Sequence, residues 1–159
     1  MKKTSFTELV RVMQKLRSPG GCPWDREQTH ASLLKYIQEE AAELARAVKK
    51  KDMENMEEEL ADVLLQVLFH AQIAKENGHF DIYDVVDTLK TKLVLRHPHV
   101  FSKNAHNKKW TSKDVLKNWG ELKVREKKIR TALRKKRKAY DRLFCNRKAF
   151  FEGFHQMRF

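Results

Sequence analysis

Residues that interrupt helices are scarce in this chain of 159 residues, which has five glycines and three prolines. Most of them lie in the segment 18–23, at Gly78 and at Pro98, so long stretches without helix breakers remain between these points. Within those stretches apolar residues recur at the period of an α-helix, and the evidence for strands is thin everywhere. The sequence therefore predicts an all-α protein.

Four helices with short connections are predicted before Pro98, which ends the last of them because the residue before a proline is pushed out of helical geometry. A polar stretch, residues 102–111, predicts a loop, and a fifth, very basic helix follows from Asp114 to about Lys138. We therefore expect a four-helix bundle with an additional basic C-terminal helix. The approximate bounds of the first three helices are Ser5–Leu16, Ala31–Lys50 and Asp52–Asn77, and the fourth runs from near Asp81 or Asp84 to His97.

The net charge of +13 is distributed unevenly along the chain. Residues 1–101 carry 15 basic and 16 acidic side chains, whereas residues 102–159 carry 19 basic and 5 acidic ones. A basic excess suggests nucleic acid or an acidic membrane surface as a partner, but here it belongs only to the last third. No apolar run approaches the roughly 18 residues that a membrane-spanning helix needs. With two distant cysteines and no signal-peptide pattern, a reduced, cytoplasmic protein is expected.

The chemistry-bearing feature is a set of carboxylates on the second and third predicted helices. Their spacing places each group on one side of its helix, so two antiparallel neighbours bring five acids together. Like charges at this spacing repel, and a divalent cation with oxygen ligands, Mg²⁺ or Mn²⁺, resolves the conflict. The alternative is a solvated acidic face, although apolar neighbours place these acids at the edge of the buried face. The five acids are Glu39, Glu40, Glu43, Glu59 and Asp62.

Four motifs in this order resemble the MazG family of nucleoside triphosphate pyrophosphohydrolases. They are the loop Gly-Gly-Cys-Pro-Trp-Asp-Arg-Glu-Gln-Thr-His at 20–30, Glu-Glu-x-x-Glu at 39–43, Glu-x-x-Asp at 59–62, and Lys-Leu-Val-Leu-Arg-His-Pro-His-Val-Phe at 92–101. The resemblance runs from about Phe6 to Phe101 and continues weakly through residues 119–127.

The resemblance implies an all-α bundle, usually dimeric or higher, that hydrolyses NTPs or dNTPs to the monophosphate and pyrophosphate with Mg²⁺. It implies that Glu40, Glu43, Glu59 and Asp62 are the metal ligands. It also implies that Glu39 is the neighbouring acid that orients or deprotonates the attacking water.

The resemblance also assigns the substrate contacts. Lys92 and Arg96 match basic positions that contact the triphosphate in the family, and their spacing allows both heads to reach one site. The alternative for them is a pair of exposed surface cations. Trp24 and Trp119 are candidates for stacking on the base, and packing over an end of the bundle is the alternative for these two rings.

Three segments are predicted from these patterns. Residues 1–101 form the helical catalytic domain, residues 102–127 form a loop and a helix that match the family weakly, and residues 128–159 form a basic tail whose end has no clear periodicity. The tail supports an alternative function, binding of nucleic acid or ribosomes by counterion release. A second alternative is an inactive partner with the same fold. All five acids are present, which favours the enzyme.

Overall fold

The computed structural model describes residues 4–102 and 110–144, with side chains described as far as residue 135. The described residues form seven helices and no strand, so the all-α prediction is confirmed. No described helix is both long and apolar enough to cross a bilayer. The helices are α1 Phe6–Arg17, α2 Pro23–Glu27, α3 Leu34–Lys50, α4 Met53–Glu76, α5 Ile82–Arg96, α6 Pro98–Phe101 and α7 Ser112–Phe144.

Two of these helices are short turns that the sequence analysis missed. α2 lies inside the segment predicted as a loop, and α6 follows the predicted end of the fourth helix. Both have proline at the first helical position, where its missing N–H costs nothing and its fixed φ suits the helix. A proline that ends one helix at Arg96 therefore begins the next one.

The bounds of the longer helices differ from the prediction at several ends. α3 begins at Leu34, three residues late, because Thr29 and Ser32 exchange two hydrogen bonds and form turns there instead. α7 is longer than expected and takes in the tail as far as Phe144. The rest of the tail, 145–159, and most of the predicted loop, 103–109, lie outside the described residues. The division at residues 101 and 127 stays a prediction.

The chain divides into two compact units, Met1–Val86 and Asp87–Phe159. The first contains a hydrophobic core built around the fully buried Leu33, and part-buried Tyr36 and Leu65 pack against it. The C-terminal half of α4 supplies half of this core, whereas Leu60 and Leu64 nearer its start are exposed. The helical period predicted for the third helix is therefore present, but among the described residues its apolar face is buried only toward the C-terminal end. The core residues are Val10, Met13, Leu33, Leu68, Phe69, Ala71, Ile73 and Ile82.

Arg17, at the end of α1, joins the segment around α2 to the end of α4. Its Nε and Nη2 donate to Glu76 at the end of α4, at 3.1 and 2.8 Å, and its Nη1 donates to the carbonyls of Asp25 and Gln28. The side chain of Arg17 is only 6% exposed. Burial alone would raise the pKa of Glu76, but hydrogen bonds from Arg17 and Gln72 outweigh it and hold that pKa below its ordinary value.

The loop between α1 and α2 turns back against the last turn of α1. The N–H groups of Gly21 and Cys22 donate to Ser18 and Leu16, each at 2.8 Å. A Cβ atom at Gly21 would collide with the backbone carbonyls of Lys15 and Leu16. Only glycine therefore permits this close approach of backbone to backbone.

His30 and His70 join the turn before α3 to α4. Their Nδ1 atoms are 2.8 Å apart and the rings are parallel within 3°, with centroids 5.1 Å apart. Since each nitrogen lies about 1.2 Å from its ring centroid, these lengths require the rings to meet end to end through one hydrogen bond rather than face to face. Burial, and secondarily the charge of His30, lower the pKa of His70. The pair therefore ties the two segments together through one hydrogen bond, in which one ring donates and the other accepts.

Candidate metal centre

The packing of α3 against α4 brings three of the predicted acids together. Glu40 and Glu43 lie one turn apart on α3, and Glu59 faces them from α4. One carboxylate oxygen from each of the three lies within 4.8 Å of the other two. Three convergent oxygens at this spacing are the donor type that Mg²⁺ and Mn²⁺ prefer.

Glu59 is the buried member of the three. It is 7% exposed, and its Oε2 atom has no hydrogen-bond partner among the described residues. Burial raises the pKa of Glu59, and the charges of Glu43 and Asp62 raise it further. A buried carboxylate oxygen without a partner is a costly feature, and a bound cation removes that cost.

Glu40 experiences the same repulsion. Burial is the largest cause that raises its pKa, followed by the charges of Asp62, Glu43 and Glu59. The raised pKa values of Glu40 and Glu59 show that the negative charge of this cluster is not neutralised by nearby cations. The residues present therefore fit a divalent cation, by the chemistry of the donors and by the unpartnered oxygen of Glu59.

Asp62 and Glu39, the other two predicted acids, lie at the margin of this centre. Asp62 is half-buried, and its charge raises the pKa values of both Glu40 and Glu59, although its oxygens are not within the group of three. Glu39 is exposed and its charge is the last of the causes that raise the pKa of Glu40. Glu39 borders a shallow depression of about 310 Å³ on α3.

A cation that the sequence analysis missed lies beside the acids. Arg46 Nη2 donates to Glu43 Oε1 at 2.7 Å, and its charge opposes the rise in the pKa of Glu59. Arg46 follows Glu43 by three residues on α3, so helical spacing was the signal that would have found this pair.

Arg96, one of the two predicted phosphate-binding cations, has an acidic partner in the second unit. Its Nη2 donates to Glu126 Oε2 at 3.0 Å, and its guanidinium lies 5.7 Å from the ring centroid of Trp119. Lys92 lies one turn earlier on α5 and is half-buried. His97 packs edge-on against Trp119. Trp119 thus lies under a cation and beside an imidazole.

Comparison with known proteins identifies the family of this chain. Residues 28–101 match the family model described as the MazG nucleotide pyrophosphohydrolase domain. A crystal structure of a MazG-related protein from Thermotoga maritima is 30% identical, aligns over 73% of this chain and 96% of that one, and gives a TM-score of 0.58. The chain belongs to the MazG family.

Two curated relatives extend the similarity beyond the MazG domain itself. A Thermotoga maritima protein named nucleoside triphosphate pyrophosphohydrolase/pyrophosphatase MazG is 52% identical over 122 residues, which are 77% of this chain and 45% of the relative. A nucleoside triphosphate pyrophosphohydrolase of Escherichia coli K12 is 42% identical over 120 residues, 75% of this chain and 44% of the relative. The chain spans less than half the length of these two relatives.

Trp24, one of the two aromatic candidates of this MazG chain, has neighbours within the first unit. Its ring packs edge-on against Tyr36 and Phe69, with centroids 5.9 and 6.3 Å away. One edge of the Trp24 ring is therefore covered by the core, while about half of the residue stays exposed. Its contact with a base stays a prediction.

Proposed function

We propose that this chain is a metal-dependent nucleoside triphosphate pyrophosphohydrolase, which hydrolyses an NTP or dNTP to the monophosphate and pyrophosphate. The observation that supports it most is the convergence of Glu40, Glu43 and Glu59, with a buried and unpartnered oxygen on Glu59. Membership of the MazG family supports the same reaction. The proposed cofactor is Mg²⁺, with Mn²⁺ as a second ion of suitable size and donor preference.

The proposed reaction adds water to the α-phosphorus and breaks its bond to the oxygen that bridges to the β-phosphate. A divalent ion held by Glu40, Glu43, Glu59 and Asp62 would lower the pKa of the attacking water and offset charge on the phosphates. Glu39 is the proposed acceptor of a proton from that water, or the group that orients it.

Cations and aromatic rings of the chain have the remaining proposed roles. Lys92 and Arg96 stabilise the charge that develops on the phosphate oxygens, as their match to the family motif suggests. Trp24 and Trp119 are the proposed contacts of the base. A cytoplasmic location stays the expectation from composition.

A panel of nucleotides tests the proposed reaction. With Mg²⁺, the purified chain is expected to release the monophosphate and pyrophosphate in equal amounts from at least one of the NTPs, dNTPs or their oxidised forms. A variant with Glu40→Gln should lose this activity, whereas Glu57→Gln, an exposed acid on α4, should keep it. Release of orthophosphate in place of pyrophosphate would contradict the proposal.

The proposed assembly is a homodimer or a higher oligomer. α5 exposes Tyr83, Val86, Leu89 and Leu93. Their spacing of three and four residues places them along one side of the helix, and such an apolar stripe on a soluble protein is typical of an interface. Light scattering on the sample used for the nucleotide panel should therefore give the mass of at least two chains.

Binding of nucleic acid is a second proposal, supported by α7, which continues for 33 residues and carries exposed cations along much of its described length. Such binding is expected to weaken steeply with salt, since each phosphate contact releases counterions. Replacing Lys127, Lys128, Arg134 and Lys135 by Gln should reduce both the affinity for a polynucleotide and its salt dependence. An affinity unchanged by these four substitutions would refute this second proposal.

A further inference from the structure

Glu126 on α7 is the most deeply buried charged residue among those described. Its side chain is 2% exposed, and both of its oxygens have arginine partners. Oε2 accepts from Arg96 Nη2 at 3.0 Å, and Oε1 accepts from Arg130 Nε at 2.6 Å. All three residues belong to the second unit.

Glu126 is ionised in this setting. Burial acts to raise the pKa of its carboxyl, but the hydrogen bonds and charges of Arg96 and Arg130 outweigh burial and hold that pKa below its ordinary value. Because Glu126 remains a carboxylate, it holds the Arg96 guanidinium by a charge-assisted hydrogen bond.

Arg96 and Arg130 differ in their contacts other than Glu126. The guanidinium of Arg96 lies over Trp119, its side chain is 19% exposed, and its Nε atom is buried without a partner among the described residues. Glu126 contacts Arg96 only through Nη2, so donors of this guanidinium remain available. Arg130 follows Glu126 by one turn on the same helix and makes a local pair of the kind common on helices.

We propose that Glu126 is a positioning residue, which fixes the guanidinium of Arg96 against Trp119 so that its remaining donors meet a phosphate group. This inference rests on the proposed function, in which Arg96 contacts the triphosphate. A long arginine side chain loses much rotamer freedom when it binds an anion, and Glu126 restricts that freedom before the substrate arrives. Apolar residues of similar volume often replace a buried ion pair without loss of stability, so a structural role alone does not require a charge here.

Two matched variants separate positioning from structure. Glu126→Gln keeps the size of the side chain but removes the charge that holds Arg96, so KM is expected to rise roughly tenfold with a smaller change in kcat. Arg130→Gln removes the ion pair at the other oxygen and leaves Arg96 with its partner, so KM should stay near that of the parent chain. Circular dichroism confirms that each variant keeps its helices.

Binding of inorganic pyrophosphate, measured by calorimetry, gives a second readout that needs no turnover. Glu126→Gln should weaken it about as much as KM rises, and Arg130→Gln should not. Equal effects of the two variants, or no effect of Glu126→Gln on pyrophosphate binding, would overturn the proposal. If Glu126→Gln does not fold, Glu126→Asp replaces it, since it keeps the charge but withdraws the carboxylate from Arg96.

The same measurement distinguishes this proposal from the proposed function. A parent chain that hydrolyses no nucleotide, but whose pyrophosphate affinity falls in Glu126→Gln, would refute the hydrolase and support the positioning role. A parent chain that binds no pyrophosphate would refute the positioning role.

Discussion

Replacing Glu59 by Gln is expected to abolish metal-dependent hydrolysis while raising the midpoint of thermal unfolding of the metal-free protein. Glu59 is buried, lacks a partner for Oε2, and faces Glu40 and Glu43. Gln keeps its shape and removes one of three mutually repelling charges. The loss of one ligand should reduce kcat/KM by at least about a hundredfold.

Thermal unfolding with and without Mg²⁺ or Mn²⁺ checks both halves of this expectation. The metal should raise the unfolding midpoint of the parent chain and leave that of Glu59→Gln nearly unchanged, since a ligand that binds only the native state stabilises it. Glu57→Gln, at an exposed position of the same helix, should respond to the metal as the parent does. An equal metal-induced shift in Glu59→Gln and the parent would remove Glu59 from the ligand set.

The pH dependence of the metal-free protein follows from the raised pKa values of Glu40 and Glu59. A carboxyl with a raised pKa in the folded state binds its proton more tightly there than in the unfolded chain. Its ionisation therefore destabilises the fold at neutral pH, and this effect fades as the pH falls from the raised pKa to the ordinary value of 4.5. The stability advantage of Glu59→Gln should shrink over the same interval.

Replacing Arg17 by Gln is expected to cost the first unit about 2–3 kcal/mol of unfolding free energy. The change leaves two backbone carbonyls and the carboxylate of Glu76 without their shared donor. The carboxylate is 35% exposed and recovers part of its hydration, so the loss is smaller than for a fully buried pair. Chemical denaturation of this variant beside Arg11→Gln, an exposed position of α1, measures the difference.

Acidification adds a second check on Arg17. Because the pKa of Glu76 is lowered in the folded state, its ionised carboxylate contributes to the stability of the fold above the ordinary value of 4.5. This contribution is lost as the pH falls through the lowered pKa. The gap between the parent and Arg17→Gln should therefore narrow below about pH 4.5. If Arg17→Gln and Arg11→Gln lose equal stability at neutral pH, Arg17 does not hold this loop.

Much of the helical pattern was predictable, because breakers and apolar periodicity are local properties of the chain. α1, α4 and α5 begin and end within one or two residues of their predicted bounds. The short turns α2 and α6 were missed, since five and four residues are too few to show a helical period. The late start of α3 depends on Thr29 and Ser32, whose side chains offer the backbone an alternative to the helix.

The sequence by itself determined most of the longer helices and the motifs that suggested the family, and it placed acids on one side of two neighbouring helices. Only the tertiary structure decided which charges are buried. Arg17 and Glu126 look like any of the 34 basic and 21 acidic residues, yet each lies inside the fold beside a partner distant in sequence. Periodicity shows which side of a helix faces inward, whereas the depth of a charge depends on what packs over it, and this is set by contacts that no local pattern contains.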